Sequence, residues 1–426
     1  MIKRLLVAGG GTGGHLFPGI AVVEEMRRRQ PGLDVTFVGT KKGIEARIIP
    51  ARGERLELLE VTPLKGRKPL ELLRSFGRLP GAMGRAGSLL RSLSPDLVLG
   101  VGGYASGPIL AAAAAMRIPT ALLEQNAHVG LTNRLLSPVV GRAYLTYAGT
   151  AQVFRGERAR VVGNPVRRDF VRAAHRAMAD PEGFEARART LLVIGGSQGA
   201  GCLNREVPEA LAAADVVGAG FRILHQTGEA MRAEVEARYR ELGIEAEVVP
   251  FLDDMASAFV NAALVIARAG ATTLAELCAI GRPSILIPYP HAADDHQARN
   301  AEELEHAGAA IAIRESALTV DGLAERVKEL LASAPRRRAM SEAARGQGRP
   351  DAAASIVDDL CEWLGCPPQE VLPEAPETNR SGGGGGRGLR MSSGREPYLP
   401  VFGHHAALGA AMRSRRPLVL DGRPWE

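Results

Sequence analysis

Three times along this chain an apolar run of strand length ends in a glycine-rich turn and continues into a helical stretch. Nothing else in the sequence constrains the fold as strongly. Arg4–Ala8 runs into Gly9-Gly10-Gly11-Thr12-Gly13-Gly14-His15, and Leu97–Val101 into Gly102-Gly103-Tyr104-Ala105-Ser106-Gly107-Pro108. Thr190–Ile194 runs into Gly195-Gly196-Ser197-Gln198-Gly199-Ala200. Further apolar runs at Val35–Val38, Thr120–Leu123, Ala143–Thr146, Arg222–His225, Ala246–Val249, Leu264–Ala267 and Ser284–Ile287 alternate with periodic stretches such as Gly19–Arg29 and Glu229–Leu242. Runs that are apolar throughout, rather than at every second residue, belong to parallel sheets covered on both faces. There are enough of them for two doubly wound α/β domains of Rossmann-like form facing a cleft. We expect these at 1–163 and 164–364, joined near Val162–Pro165, with the last helix of the second able to pack back on the first. A glycine turn at the carboxyl end of a parallel strand, ahead of a helix, is where such sheets take ligands, and its free N–H groups suit phosphate. Three such turns predict a phosphate-bearing ligand in the cleft.

Composition narrows the class. Gly9-x-Gly11-x-x-Gly14 matches the dinucleotide fingerprint, which also requires an acid at the end of the second strand. That strand ends instead in Gly39-Thr40-Lys41-Lys42, and no glycine turn carries the lysine of a Walker loop. Four cysteines without a CxxC pair argue against a zinc site or a disulfide scaffold. Aromatic residues make up 4% of the chain, too few for base-stacking platforms, and with no recognisable motif nucleic acid is set aside as a partner. Met1 to Val7 reads like the start of a signal peptide until glycines interrupt it. Leu97–Met116 is free of charge, but Gly100, Gly102, Gly103, Gly107 and Pro108 make it strand, turn and helix start rather than a membrane span. After Leu364 the chain turns Pro-, Gly- and Ser-rich, so 365–426 reads as a disordered tail.

The motifs GGGTGGHLFPGIAV, VGGYASGP, EQNAHVGLTNRLL, VGNPVR, IGGSQGA, FLDDM, ARAGATTLAEL and ADDHQARNA follow one another in that order. As an ordered set, from Met1 to Leu364, they resemble the MurG family of bacterial cell-wall glycosyltransferases. The resemblance implies the two-domain GT-B fold and no metal or other cofactor. It also implies an inverting transfer of GlcNAc from UDP-GlcNAc to the 4-hydroxyl of MurNAc-pentapeptide on undecaprenyl diphosphate, the step from lipid I to lipid II in peptidoglycan synthesis. The alternatives are a GT-B enzyme with another lipid acceptor and a non-catalytic UDP-sugar sensor or scaffold.

Individual residues follow from this. His15 begins a helix after the first glycine turn, and an imidazole titrating near neutrality suits base work. The resemblance makes it the catalytic base; the alternative is a helix cap or a phosphate contact. Ala271, Thr272, Thr273, Leu274, Ala275 and Glu276 open another helix, whose amino end attracts a diphosphate. The resemblance places UDP there, with Glu276 on the ribose hydroxyls, although Thr273-x-x-Glu276 also reads as a capping box. It further implies uracil contacts at Leu252, nucleotide or diphosphate contacts at Ser197 and Arg167, and GlcNAc recognition by the amides of Asn126 and Gln297. For Arg167 the alternative is a surface ion pair with Asp169. Thr12, Gly13 and Gly14 belong beside the UDP diphosphate or the acceptor diphosphate, and Gly102, Gly103, Tyr104 and Ser106 form an acceptor loop. Asp294, Asp295 and His296 lack a D-x-D pair and read as solvated charge rather than metal ligands.

The formal charge of +6 conceals an asymmetry. Bases exceed acids by 12 through Gly163, and acids exceed bases by 8 from Asn164 to Leu364. Half of the front excess lies in 62–92, where Lys65, Arg67, Lys68, Arg74 and Arg78 interleave with leucines and Phe76. Such a segment suits an anionic membrane surface, or is an ordinary amphipathic helix. Because the implied acceptor is lipid-anchored, we expect peripheral attachment to the cytoplasmic face of the bacterial cell membrane, with cell-wall or division proteins as further partners.

Overall fold

The computed structural model describes residues 2–59, 69–103, 105–196 and 199–366, with side chains described except at 69–80. Tyr104, Ser197, Lys65, Arg67, Lys68, the side chains of Arg74 and Arg78, and most of the expected tail therefore lie outside the described residues.

Two parallel sheets form the frame. The first holds β1 (Arg4–Gly9), β2 (Asp34–Gly39), β3 (Arg55–Leu58), β4 (Leu97–Gly102), β5 (Thr120–Glu124), β6 (Arg142–Leu145) and β7 (Ala159–Val161), in the order β3-β2-β1-β4-β5-β6-β7. The second holds β8 (Thr190–Ile194), β9 (Arg222–Gln226), β10 (Glu247–Val249), β11 (Ala262–Ala267), β12 (Ser284–Leu286) and β13 (Ala310–Ala312), in the order β10-β9-β8-β11-β12-β13. All ten apolar runs form strands. The edge strands β3, β7 and β13 went unread: they are three or four residues long, charged residues interrupt β3 and β7, and β13 lies in a short alanine-rich run. The central strands β4, β8 and β11 are buried at every position, as strands covered on both faces must be.

Strand order reverses between β1 and β4 and again between β8 and β11. The turns leaving these four strands therefore flank the two places where such sheets open a crevice. Among the described residues no helix is long and apolar enough to cross a membrane.

The last described helix, Ala352–Trp363, follows the second sheet in sequence but packs on the first. Ile356, Val357 and Leu360 share a core with Leu5, Val7, Val23 and Tyr144. The Trp363 ring lies against Gly141, where a Cβ would come within 2.5 Å of it. Asp359 ties this return down. Its carboxylate accepts hydrogen bonds from Tyr144 Oη (2.8 Å), Arg160 Nε (2.9 Å) and Arg142 Nε (3.0 Å). Burial alone would raise its pKa, but the tyrosine hydroxyl and the two guanidinium groups outweigh that and hold it below the ordinary carboxylate range.

A depressed carboxylate pKa contributes stability above the ordinary carboxylate pKa and loses it as pH falls through the folded value. Asp359→Asn is therefore expected to lower the unfolding free energy by about 2 kcal/mol at pH 7. In urea titrations the gap between variant and wild type should close as the buffer is taken well below pH 4.

Candidate active site

The turns after β1 and β4 interlock through backbone. Gly10 N donates to Gly102 O at 3.1 Å. A Cβ on Gly9 would stand 2.1 Å from Gly102 O, so this approach admits only glycine. Above the interlock begins the helix Gly13–Arg29, with Thr12 at its N-cap. Thr12 O accepts from the His15 and Leu16 N–H groups, and Thr12 Oγ1 lies 3.3 Å from His15 Nδ1. The imidazole rests on Gly102, where a Cβ would come within 2.6 Å of Cδ2. Loss of solvent, then the positive charge of His296, lower the His15 pKa, while the Gly10 carbonyl and Glu45 oppose that shift. The ring is therefore neutral, with its base form available, at pH 7.

From the second sheet, the helix Ala271–Ile280 brings its amino end to the same place. Thr272 Oγ1 donates to Gly14 O at 3.1 Å, so the first turns of the two helices touch. First-turn N–H groups have no acceptor within their own helix, and both helix dipoles present their positive ends here. Leu274 is buried in the second core. Glu276, only 4% exposed, pairs with Arg167 at 2.8 Å to Nη2 and 2.9 Å to Nε. Burial lifts the Glu276 carboxyl to about 7 against the pull of Arg167. Arg167 also stacks on Phe17 at 5.4 Å and on Phe170 at 4.9 Å. It thereby ties the first helix to the second half, and the expected alternative partner, Asp169, is not the one it chooses.

The EQN segment is held from both sides. Asn126 N and Nδ2 approach Glu124 Oε1 at 3.1 and 3.4 Å, and its Oδ1 accepts from Asn300 Nδ2 at 3.2 Å. Asn300, fully buried, also accepts from Ala127 N at 2.8 Å. Glu124 takes further hydrogen bonds from Asn133 Nδ2 (2.9 Å) and Gly130 N (3.0 Å), although desolvation still raises its pKa. Sequence reasoning missed Glu124 and Asn300. Both lie inside motifs quoted for the resemblance, but their task is to hold neighbours in place, and no spacing rule announces that.

Gln297 Oε1 accepts from Tyr289 N at 3.0 Å. The turn before it contains two successive non-glycine residues in the left-handed region, Asp294 (φ 56°) and Asp295 (φ 54°). Such strain persists only where the surroundings over-determine it, commonly at ligand sites. Asp295 is paired with Arg314, and His296 Nδ1 faces the Ala293 carbonyl. Among the described residues no group of three or more His, Cys, Asp or Glu is placed to hold a metal. Leu252 is half-buried against the second core. Ser106 is fully buried, and the space above Gly100 that a Cβ would take lies 2.6 Å from its Oγ.

Comparison with known proteins accords with this geometry. The Glycosyltransferase family 28 N-terminal domain matches residues 5–145 and the Glycosyltransferase family 28 C-terminal domain matches 190–356. The chain is 48% identical over 361 residues to the UDP-N-acetylglucosamine--N-acetylmuramyl-(pentapeptide) pyrophosphoryl-undecaprenol N-acetylglucosamine transferase of Anaeromyxobacter dehalogenans, covering 85% of this chain and 93% of that one. A protein of the same name from Myxococcus xanthus is 45% identical over 387 residues, 89% of this chain and 100% of the relative. Among solved structures, MurG of Acinetobacter baumannii matches with a TM-score of 0.67 at 29% identity, over 84% of this chain and 99% of that one. A UDP-GlcNAc 2-epimerase from Neisseria meningitidis, at 13% identity and a TM-score of 0.56 over 85% of this chain and 100% of that one, shares the fold alone. With both halves of the enzyme present, in order and on the GT-B fold, this chain belongs to the MurG family of glycosyltransferases.

Proposed function

We propose that this chain transfers GlcNAc from UDP-GlcNAc to the 4-hydroxyl of MurNAc-pentapeptide on undecaprenyl diphosphate, the reaction for which its relatives are named. The meeting of two helix amino ends at Gly14 and Thr272, with His15 on one helix and Glu276 on the other, carries this reading. A nucleoside diphosphate set between them receives first-turn N–H groups from both halves, and its ribose reaches the Glu276 carboxylate. Arg167, already beside Glu276, is within reach of the phosphates. Asn126 and Gln297 offer amides to the sugar.

The reaction is a single displacement. His15 takes the proton from the acceptor O4 as that oxygen bonds to the anomeric carbon, and the bond from that carbon to the β-phosphate oxygen breaks. The developing charge on UDP falls on preorganised N–H donors, where it is stabilised without reorganisation. The proton then passes from His15 to solvent.

A lipid-linked acceptor requires the enzyme to lie on a membrane surface. The excess of base in 62–92 supports this, as do the exposed Leu131, Leu135 and Val139 in the same half. These three are spaced four apart and are 51%, 67% and 51% exposed. We place the enzyme on the cytoplasmic face of the cell membrane, where anionic headgroups draw the bases and exposed leucines enter shallowly.

Purified protein should move labelled GlcNAc from UDP-GlcNAc to a lipid I analogue; no transfer over a range of detergents and salts would overturn the assignment. His15→Ala is expected to cost a factor of about 100 or more in kcat, with UDP affinity kept, in steady-state kinetics and calorimetry. Glu276 titrates near 7. Ribose hydroxyls donate to its ionised form, so calorimetry should show UDP binding weakening as pH is lowered from 8 to 6. Glu276→Gln should bind about 10- to 100-fold more weakly, with that pH dependence gone. Changing Lys65, Arg67, Lys68 and Arg74 together to Gln should reduce cosedimentation with anionic vesicles, and unchanged cosedimentation would refute the membrane reading of that segment.

A further inference from the structure

Glu45 is the most enclosed acid of the first half among the described residues, at 1% exposure, and no step above uses it. It opens the short helix Glu45–Ala51, which follows β2. Its Oε2 accepts from Gly11 N at 2.7 Å, and its Oε1 accepts from Thr40 N at 2.8 Å and Thr40 Oγ1 at 3.1 Å. One carboxylate therefore joins the turn after β1 to the turn after β2. The backbone makes room for it: a Cβ on Gly43 would lie 2.1 Å from Oε2, and one on Gly39 2.2 Å from Cγ. An acid held this closely by three donors is a built feature, since a buried carboxylate without such partners is costly.

Its location gives it a task. Gly11 has a positive φ of 88° and immediately precedes the Thr12 cap. With its N–H directed at Glu45, the turn presents the next N–H groups, those of Gly13 and Gly14, at the open end of the helix. The same turn carries His15, on which both the Gly10 carbonyl and the Glu45 charge act.

We propose that Glu45 is a positioning residue for the transfer reaction. From beneath, it locks the Gly9–Gly14 turn so that His15 stands where the displacement needs it. The inference rests on His15 being the base. It predicts that Glu45 governs turnover more than nucleotide affinity, because the nucleotide keeps Glu276, Arg167 and the first turn of the helix Ala271–Ile280 from the other half when the Gly13 and Gly14 N–H groups shift.

The test uses the full-length enzyme. Gln at 45 keeps the shape but can accept on one arm only, so either Gly11 or Thr40 loses its acceptor. Glu45→Gln should lower kcat about 10- to 100-fold while the KM for UDP-GlcNAc and the Kd for UDP rise by no more than about threefold. The charged or titratable groups acting on His15 are Glu45 and His296. Removing the first and leaving the second moves the acid limb of kcat/KM to lower pH. Gly43→Ala displaces the carboxylate without removing its charge, so it should lower kcat and leave that limb in place; it also carries the test if Glu45→Gln does not fold. In a His15→Ala background, Glu45→Gln should cost nothing more. An unchanged kcat, a loss of UDP binding as large as the loss in kcat, or the same fold loss with and without His15 would each overturn the proposal. If His15→Ala itself keeps its rate, the base assignment fails, and the split between kcat and KM alone decides for or against Glu45.

Discussion

The turn after β1 and the turn after β4 occupy one another's space, and the chemistry of the molecule depends on it. Gly9 lies where its Cβ would be 2.1 Å from Gly102 O, and Gly103 where its Cβ would be 2.4 Å from Gly10 O. No side chain survives such distances, so backbone packs directly on backbone and holds the first helix at the crevice. His15 inherits its position from this contact, because its ring lies on Gly102. Parallel strands whose order reverses here leave a gap in helix coverage, and the interlocked turns form its floor.

A second constraint is electrostatic. The half expected to hold the nucleotide carries eight more acids than bases between Asn164 and Leu364, yet the ligand is anionic. Bulk charge therefore opposes binding, and local groups must outweigh it. In the proposed mode of binding these are two helix amino ends, which touch each other, and Arg167, the cation beside Glu276. Burial around Glu276 brings its titration close to neutrality, so its charge responds to what lies beside it. The strained pair Asp294 and Asp295 precedes His296, whose charge acts on His15, and Gln297.

The halves are joined by more than the linker near Gly163. Asn300 grips the EQN loop, Arg167 bridges Phe17 and Glu276, and the Asp359 helix returns to the first sheet. Each contact crosses from one sheet system to the other, so stability and site geometry are coupled. Loosening the return helix disturbs the core that carries β1, and β1 carries the glycine turn.

The alternation of apolar runs and glycine turns was legible from residues alone, because buried parallel strands need continuous apolar sequence and tight turns need glycine. That fixes two doubly wound sheets and the placing of the turns that begin at Gly9, Gly102 and Gly195 at strand ends. The ordered motifs identified the family. The partnerships were not legible, because they join residues far apart in sequence whose types alone admit many mates. Arg167 meets Glu276 across 109 positions, Ala127 meets Asn300 across 173 and Tyr144 meets Asp359 across 215. Glu45 is a mere 34 residues from Gly11, yet its sequence position suggests a helix start and nothing more. Only the packed chain shows it turned inward beneath the glycine turn, because only there do β1 and β2 bring their ends within reach of one carboxylate.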